Sequence, residues 1–170
     1  MKIVFVNRFF HPDLAPTGMH AADVAFDLAA TGREVHAVTS RLAYDGAGPG
    51  YAAQETVRGV QVHRVWTTRF GRGSIVGRTC DYASFYVSAG WRLLRLLCAG
   101  DVVVAKTDPP LISVVAAVAA RLRGARLVNW IQDLFPEAAA RSGMRLLQGP
   151  LGAIVRATRD WSLRRAVVNI

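Results

Sequence analysis

Lysine is almost missing from this chain of 170 residues. Only Lys2 and Lys106 stand among its 21 cations, and the rest are arginines. Acids are scarce as well, 12 in all, so the formal net charge is +9. Cysteine is limited to Cys80 and Cys98. They form no C-x-x-C and are too few for a disulfide framework, so they read as two reduced, partly buried thiols. Long apolar runs are lacking. The run from Leu111 to Ala120 is interrupted by Ser113 and stops at Arg121, far short of the roughly 20 residues a spanning helix needs. The apolar start at Ile3–Val6 is cut off by Asn7 and Arg8, too early for a secretory signal. A cytoplasmic chain without a transmembrane segment is expected. Disorder is excluded by a hydrophobic content of 52% and a mean hydropathy of +0.23.

Most catalytic and cofactor signatures are also missing. No G-x-G-x-x-G follows the first apolar run, and the second strand ends Thr39-Ser40 without the acid that would hold a ribose. There is no G-x-x-x-x-G-K-[ST] and no G-x-S-x-G. His11, His20, His36 and His63 have no zinc-ligand spacing, so no metal is expected. Nucleic acid is excluded as a partner, because no zinc spacing, helix-turn-helix pattern or aromatic RNA-binding strand accompanies the charge. The excess of arginine then points to an anionic membrane surface or a phosphorylated substrate, or simply to solvated helix faces.

What is present is an alternation of strands and helices. Strands are expected at Ile3–Val6, Glu34–Ser40, Val57–Trp66, Asp101–Ala105, Ala125–Ile131 and Ala166–Ile170. Helices are expected after Gly18, over Asp81–Leu97, over Leu111–Leu122 and from Pro150. Residues 43–54 and 67–77 read as Gly-rich loops. Strands that are apolar rather than alternating signify a parallel sheet covered on both faces. The fold class is therefore α/β, a doubly wound, Rossmann-like parallel sheet in one domain over 1–170. Such sheets bind ligands at the carboxyl ends of their strands.

Three of those strand tips carry candidate chemistry. In PTGMH, Gly18 before a helix lets backbone N–H groups approach an anion such as a diphosphate, or it only makes a tight turn. In KTDPPL, Asp108 either contacts substrate or caps the next helix, with Pro109 and Pro110 in its first turn. In VNWIQDLFPE, Asp133 is a base, a hydroxyl acceptor or a turn residue.

Together, NRFFHPDLAPTGMHAADVAFDLAATGREVHAVTS, GVQVHRV, DVVVAKTDPPL and VNWIQDLFPEA resemble the N-terminal domain of the GT-B retaining glycosyltransferases of family 4. The nearest likeness is to bacterial enzymes that build O-antigen, capsule and colanic-acid-type polysaccharides. The resemblance covers essentially the whole chain. It implies one half of a GT-B fold, which holds a lipid-linked saccharide acceptor. A C-terminal domain, absent from this sequence, would grip the nucleotide-diphosphate sugar. The chain is thus expected to be a truncated domain, inactive alone.

The resemblance places the donor diphosphate at Gly18, with Thr17 where many members have a second glycine. It places the active-site pair at Gln132-Asp133, where members often carry a histidine and an acid. Glutamine cannot take a proton, so Asp133 would stabilise charge while the leaving diphosphate receives the acceptor proton. His11, Asp108 and Glu137 are the candidate acceptor or sugar contacts. No cofactor beyond the sugar donor is implied. Lipid-linked acceptors imply peripheral attachment to the inner membrane face. Trp91, Arg92 and Arg95 in GWRLLRLL, together with Arg69, Arg72 and Arg78, are the candidates for lipid phosphate. The bland alternative for GWRLLRLL is a core helix with two solvated arginines. Two rival readings remain: a non-catalytic acceptor or membrane subunit of a two-chain transferase, and an unrelated flavodoxin-like ligand binder.

Overall fold

A computed structural model describes residues 1–44, 50–71, 73–141, 143 and 145–170. Among them, seven strands form one sheet: β1 (Ile3–Val6), β2 (Val35–Ser40), β3 (Gln54–Val57), β4 (Val60–Val65), β5 (Val102–Lys106), β6 (Arg126–Trp130) and β7 (Val168–Asn169). The helices are α1 (Pro16–Ala30), α2 (Ile75–Leu96), α3 (Ile112–Arg123), the short α4 (Glu137–Arg141) and α5 (Pro150–Arg165). A 3-10 turn covers Arg145–Gln148. The α/β class expected from the sequence is present.

The strand order is β3-β4-β2-β1-β5-β6-β7. All pairs are parallel except β3 with β4. The chain runs outward from β1 through β2 and β4, then returns to β5 on the other side of β1. With β3 set aside, this is the order of Rossmann-like sheets. The reversal falls between β1 and β5, where a crevice opens beyond the strand ends.

The period of two along each strand splits the core. Val4 and Val6 face Val38, Val103, Ala105 and Leu127, under Phe85, Ala89 and Leu93 of α2 and Ile112 and Ala116 of α3. Phe5 faces the other way, with Ala37, Val62 and Val104, under Ala21, Ala22, Ala25 and Phe26 of α1. Helices thus cover both faces. Helix α3 packs against both α2 and α5, which explains its almost wholly apolar sequence. Truncating a wholly buried core residue such as Leu93 to alanine costs about 2–5 kcal/mol.

Several expected boundaries are corrected. The third strand is a hairpin, not a single run. Polar β3 pairs antiparallel with β4, and the two-residue turn Arg58-Gly59 has positive φ at both positions, 48° and 84°. That is the twist a tight hairpin requires. The Arg58 guanidinium lies 4.5 Å from the centre of the Phe26 ring. Gln54–Val57 had no apolar run to mark it as a strand, because it is a mostly exposed edge.

Helix α2 starts at Ile75, well before Asp81. Ser74 caps it, accepting the Gly77 N–H at 2.9 Å. Gly77, which reads as a loop glycine, sits inside the first turn because a Cβ there would lie 3.0 Å from Phe70 Cβ. The prolines after Asp108 precede α3 rather than open it, and Leu111 stands at its N-cap with φ 69°. Both cysteines are free and exposed, not partly buried.

Candidate functional site

The crevice at the β1–β5 reversal is held by hydrogen bonds between loops. The Arg8 N–H donates to the Asp108 carbonyl at 2.7 Å, and the Arg8 carbonyl accepts from Ser40 N–H at 2.9 Å and Thr39 Oγ1 at 2.8 Å. Asn7, buried at the β1 tip, donates to the Phe9 carbonyl at 2.8 Å. Thr17 Oγ1 in the first turn of α1 donates to Asp108 Oδ2 at 3.1 Å. The tips of β1, β2 and β5 and the start of α1 are therefore one connected unit.

A cavity of about 440 Å³ opens there, with Thr17, Asp108, Asp133, Tyr44, Tyr82 and Phe135 in its wall. Beside it lies a second cavity of about 520 Å³, walled by Arg8, Arg69, Arg78, Asp81, Tyr82 and Asp108. The two share Tyr44, Tyr82 and Asp108. Three residues singled out in the sequence, Thr17, Asp108 and Asp133, thus meet around one space from three distant segments.

Asp108 does not cap α3. Its carboxylate accepts from Thr17, and α3 has no side-chain cap. Gly18 lies within α1 rather than before it, and it is buried. A Cβ on it would come within 2.9 Å of the Phe9 carbonyl carbon and 3.1 Å of Phe10 N. The close approach of α1 to that loop is sufficient reason for glycine there.

The other candidates lie apart. Gln132 is exposed, and its backbone N–H donates to Thr107 Oγ1 at 3.1 Å. His11 packs its ring edge-on to Phe26 at 5.5 Å, and its carbonyl accepts from Arg64 at 2.7 Å. Neither Gln132 nor His11 is in either cavity wall. Glu137 is paired with Arg159 of α5, which also donates to the Phe135 carbonyl at 3.0 Å. The Arg159 hydrogen bond holds the Glu137 carboxyl below its ordinary range, against burial. This pair fixes the turn after β6.

The basic residues separate into three places. Arg69 and Arg78 join Arg8 in the second cavity, while Arg72 lies outside the described residues. Arg92 turns inward to His63 Nδ1 at 2.5 Å. Leu93 and Leu97 are wholly buried, and Leu94 and Leu96 are half-buried against the same core, so the leucines of GWRLLRLL pack inward. Trp91 is exposed, with Arg95 4.6 Å above its ring.

Sequence reasoning found Arg69, Arg78 and Asp108 of the second cavity but missed Arg8, Tyr82 and Asp81. Asp81 is buried and accepts from Thr68 Oγ1 at 2.7 Å and from the N–H groups of Phe70 and Gly71, each at 3.0 Å. Arg8 stands 3.7 Å from the same carboxylate. Burial alone would raise the Asp81 pKa, but these donors together hold it below the ordinary value. The signal was a lone acid in a helix otherwise free of acids, but its partners lie far away in sequence.

Two other groups escaped notice. Lys106, at the end of β5, is 1% exposed with its Nζ 3.8 Å from the centre of the Trp130 ring. Among the described residues its Nζ has no hydrogen-bond partner, and burial lowers its pKa from 10.5 to about 8. Under α2, Glu34, His36, His63 and Arg92 form a chain: Glu34 Oε1 to His36 Nε2 at 3.0 Å, and His36 Nδ1 to His63 Nε2 at 2.9 Å. Because Arg92 can only donate, His63 Nδ1 must accept, which fixes each proton along the chain. Burial first, then Arg92 and His36, lower the His63 pKa from 6.5 to about 4.

Among the described residues, no group of three or more His, Cys, Asp or Glu could hold a metal ion, and no helix is long and apolar enough to cross a membrane. The chain matches no family profile and no curated protein.

Proposed function

We propose that this chain is the acceptor-holding half of a GT-B-type retaining glycosyltransferase. In this reading the whole enzyme moves a sugar from a nucleotide-diphosphate donor to a lipid-linked saccharide, in the synthesis of a surface polysaccharide. The observation that carries the reading is the meeting of Thr17, Asp108 and Asp133 around the cavity at the β1–β5 reversal. Carboxylates accept hydrogen bonds from sugar hydroxyls, and the exposed Asp133 is placed to do so. Asp108, fixed by Thr17, would orient a second hydroxyl.

In a retaining transfer the leaving diphosphate can take the acceptor proton. The chain's own part is then to orient the acceptor and to place negative charge near the sugar's developing positive centre. Gly18 would act indirectly, by letting α1 sit close to Phe9. The donor grip belongs to a second domain or a partner chain.

The test is saturation-transfer NMR with soluble di- and trisaccharides and with mononucleotides. Saccharide ring protons should receive saturation, and Asp133→Asn or Asp108→Asn should weaken it. Tight binding of a mononucleotide with no saccharide contact would sink this reading and favour a flavodoxin-like binder.

A further inference from the structure

Two of the four tryptophans in this chain are left largely in water. Trp130 and Trp161 pack against the two cores. Trp66, by contrast, is 63% exposed and Trp91 59%. An indole is a large apolar surface, so leaving two uncovered forgoes burial that folding would reward. The two are distant in sequence, yet both stand in the wall of one cavity of about 270 Å³.

Local structure explains the meeting. Trp66 directly follows β4, and Trp91 lies on α2, which packs on β4. Ser88 comes three residues before Trp91 and four before Arg92, so the three share one side of the helix. All three are in the wall. Gln54 opens β3 opposite His63 of β4, so both project from the same face of the sheet. Both line the cavity as well.

This cavity is separate from the crevice. It shares no wall residue with the two cavities there. Trp91 stands ten residues along α2 from Asp81, roughly 15 Å at the helical rise.

Its chemistry suits a sugar ring with a negative charge. Aromatic faces pack against the apolar C–H faces of such a ring, and a few polar groups fix its hydroxyls. The Gln54 amide and the Ser88 hydroxyl can each donate and accept. Arg95 lies 4.6 Å over the Trp91 ring and steadies it. The Arg92 guanidinium is held by His63 Nδ1, and no acid stands in the wall among the described residues to offset its charge. Arg64 is in the wall too, but it is paired with Glu55. A plain alkyl chain would leave Gln54, Ser88 and Arg92 without partners.

We propose that the Trp66–Trp91 cavity binds a carboxylated sugar ring, a hexuronate unit of a saccharide chain, with Arg92 on its carboxylate. The sugar binding stands on this cavity alone. That the site holds a growing polysaccharide clear of the crevice rests on the transferase reading.

Calorimetric titration of the chain with trigalacturonate and, separately, with neutral maltotriose tests this. Trigalacturonate should bind roughly 10-fold more tightly, the margin of a charge-assisted contact. Trp66→Ala and Trp91→Ala should each weaken it roughly 10-fold, as loss of a stacked ring does. Both side chains are exposed, so neither change opens a hole in the core. Arg92→Gln should bring the two probes to the same affinity. Equal affinity in the unaltered protein would overturn the carboxylate assignment. No binding of either probe, or binding that both tryptophan variants retain, would overturn the site. Retention in those variants with loss in Arg69→Gln would move the charged sugar to the cavity beside the start of α2, against the proposal. The transferase reading is tested through Asp133 and Asp108, so it survives if only the tryptophan variants are silent.

Discussion

Thr17 and Asp108 are joined by a 3.1 Å hydrogen bond that crosses from the first turn of α1 to the tip of β5. The bond spans the point where the strand order reverses. It binds together the two walls between which a ligand would sit, and it takes Asp108 away from the helix that follows it.

Thr17→Val should therefore loosen the crevice while keeping the side chain's shape. The loss of one such bond costs about 1 kcal/mol. Urea unfolding should show this as a lower midpoint with an unchanged slope, and saccharide binding should weaken alongside.

Asp81 should make the protein acid-sensitive. Its carboxyl is held below the ordinary value of 3.8, so its stabilising effect is complete above that pH and is lost as pH falls through the lower folded value. Asp81→Asn should be less stable at neutral pH, on the order of 1–3 kcal/mol for a buried charged acceptor with several donors. The gap between variant and wild type should narrow once the pH falls below 3.8 toward the lower folded value, read by thermal melts across pH.

His63 predicts a second slope, at milder pH. Its folded pKa of about 4 lies below the unfolded 6.5. Between these values the unfolded chain binds the extra proton, so stability rises with pH across that window and is level above it. Nitrogen-15 NMR should find His63 neutral at pH 6, protonated on Nε2 alone. His63→Gln should remove its share of the slope.

Much of the fold was legible in the sequence because it rests on local signals. Ile3–Val6 and Val102–Ala105 are apolar runs that only a covered parallel sheet explains. Asp108 and Asp133 were legible as well, since they follow where β5 and β6 stop, whereas Thr17, inside α1, was marked only by the resemblance. The edge strand Gln54–Val57 was not legible, because an exposed strand has no apolar pattern. Nor was the true start of α2, where Gly77 is demanded by Phe70 rather than by any turn. The roles of Arg8, Arg92 and Glu137 depend on Asp81, His63 and Arg159, partners that only the tertiary fold brings near. Charge type can be read from a sequence, but not its partner.

Lys106 gives a prediction of opposite sense. An unpartnered buried cation is costly, so Lys106→Met should raise stability at neutral pH despite losing the contact with Trp130. Wild type should gain stability as pH rises from about 8 toward 10.5, the folded and unfolded values, and the variant should not. Thermal melts of the pair at pH 7 and pH 10 would decide it.

The burial of Lys106 also makes the molecule nearly blank to amine-reactive reagents. Lys2 is the sole other lysine, and its ammonium already donates to the Leu96 carbonyl at 2.7 Å and pairs with Asp101. A reagent added to the folded protein would mark the N-terminal region and little else. Acylation of Lys106 would then run as a clock, ticking only when the sheet beneath Trp130 opens.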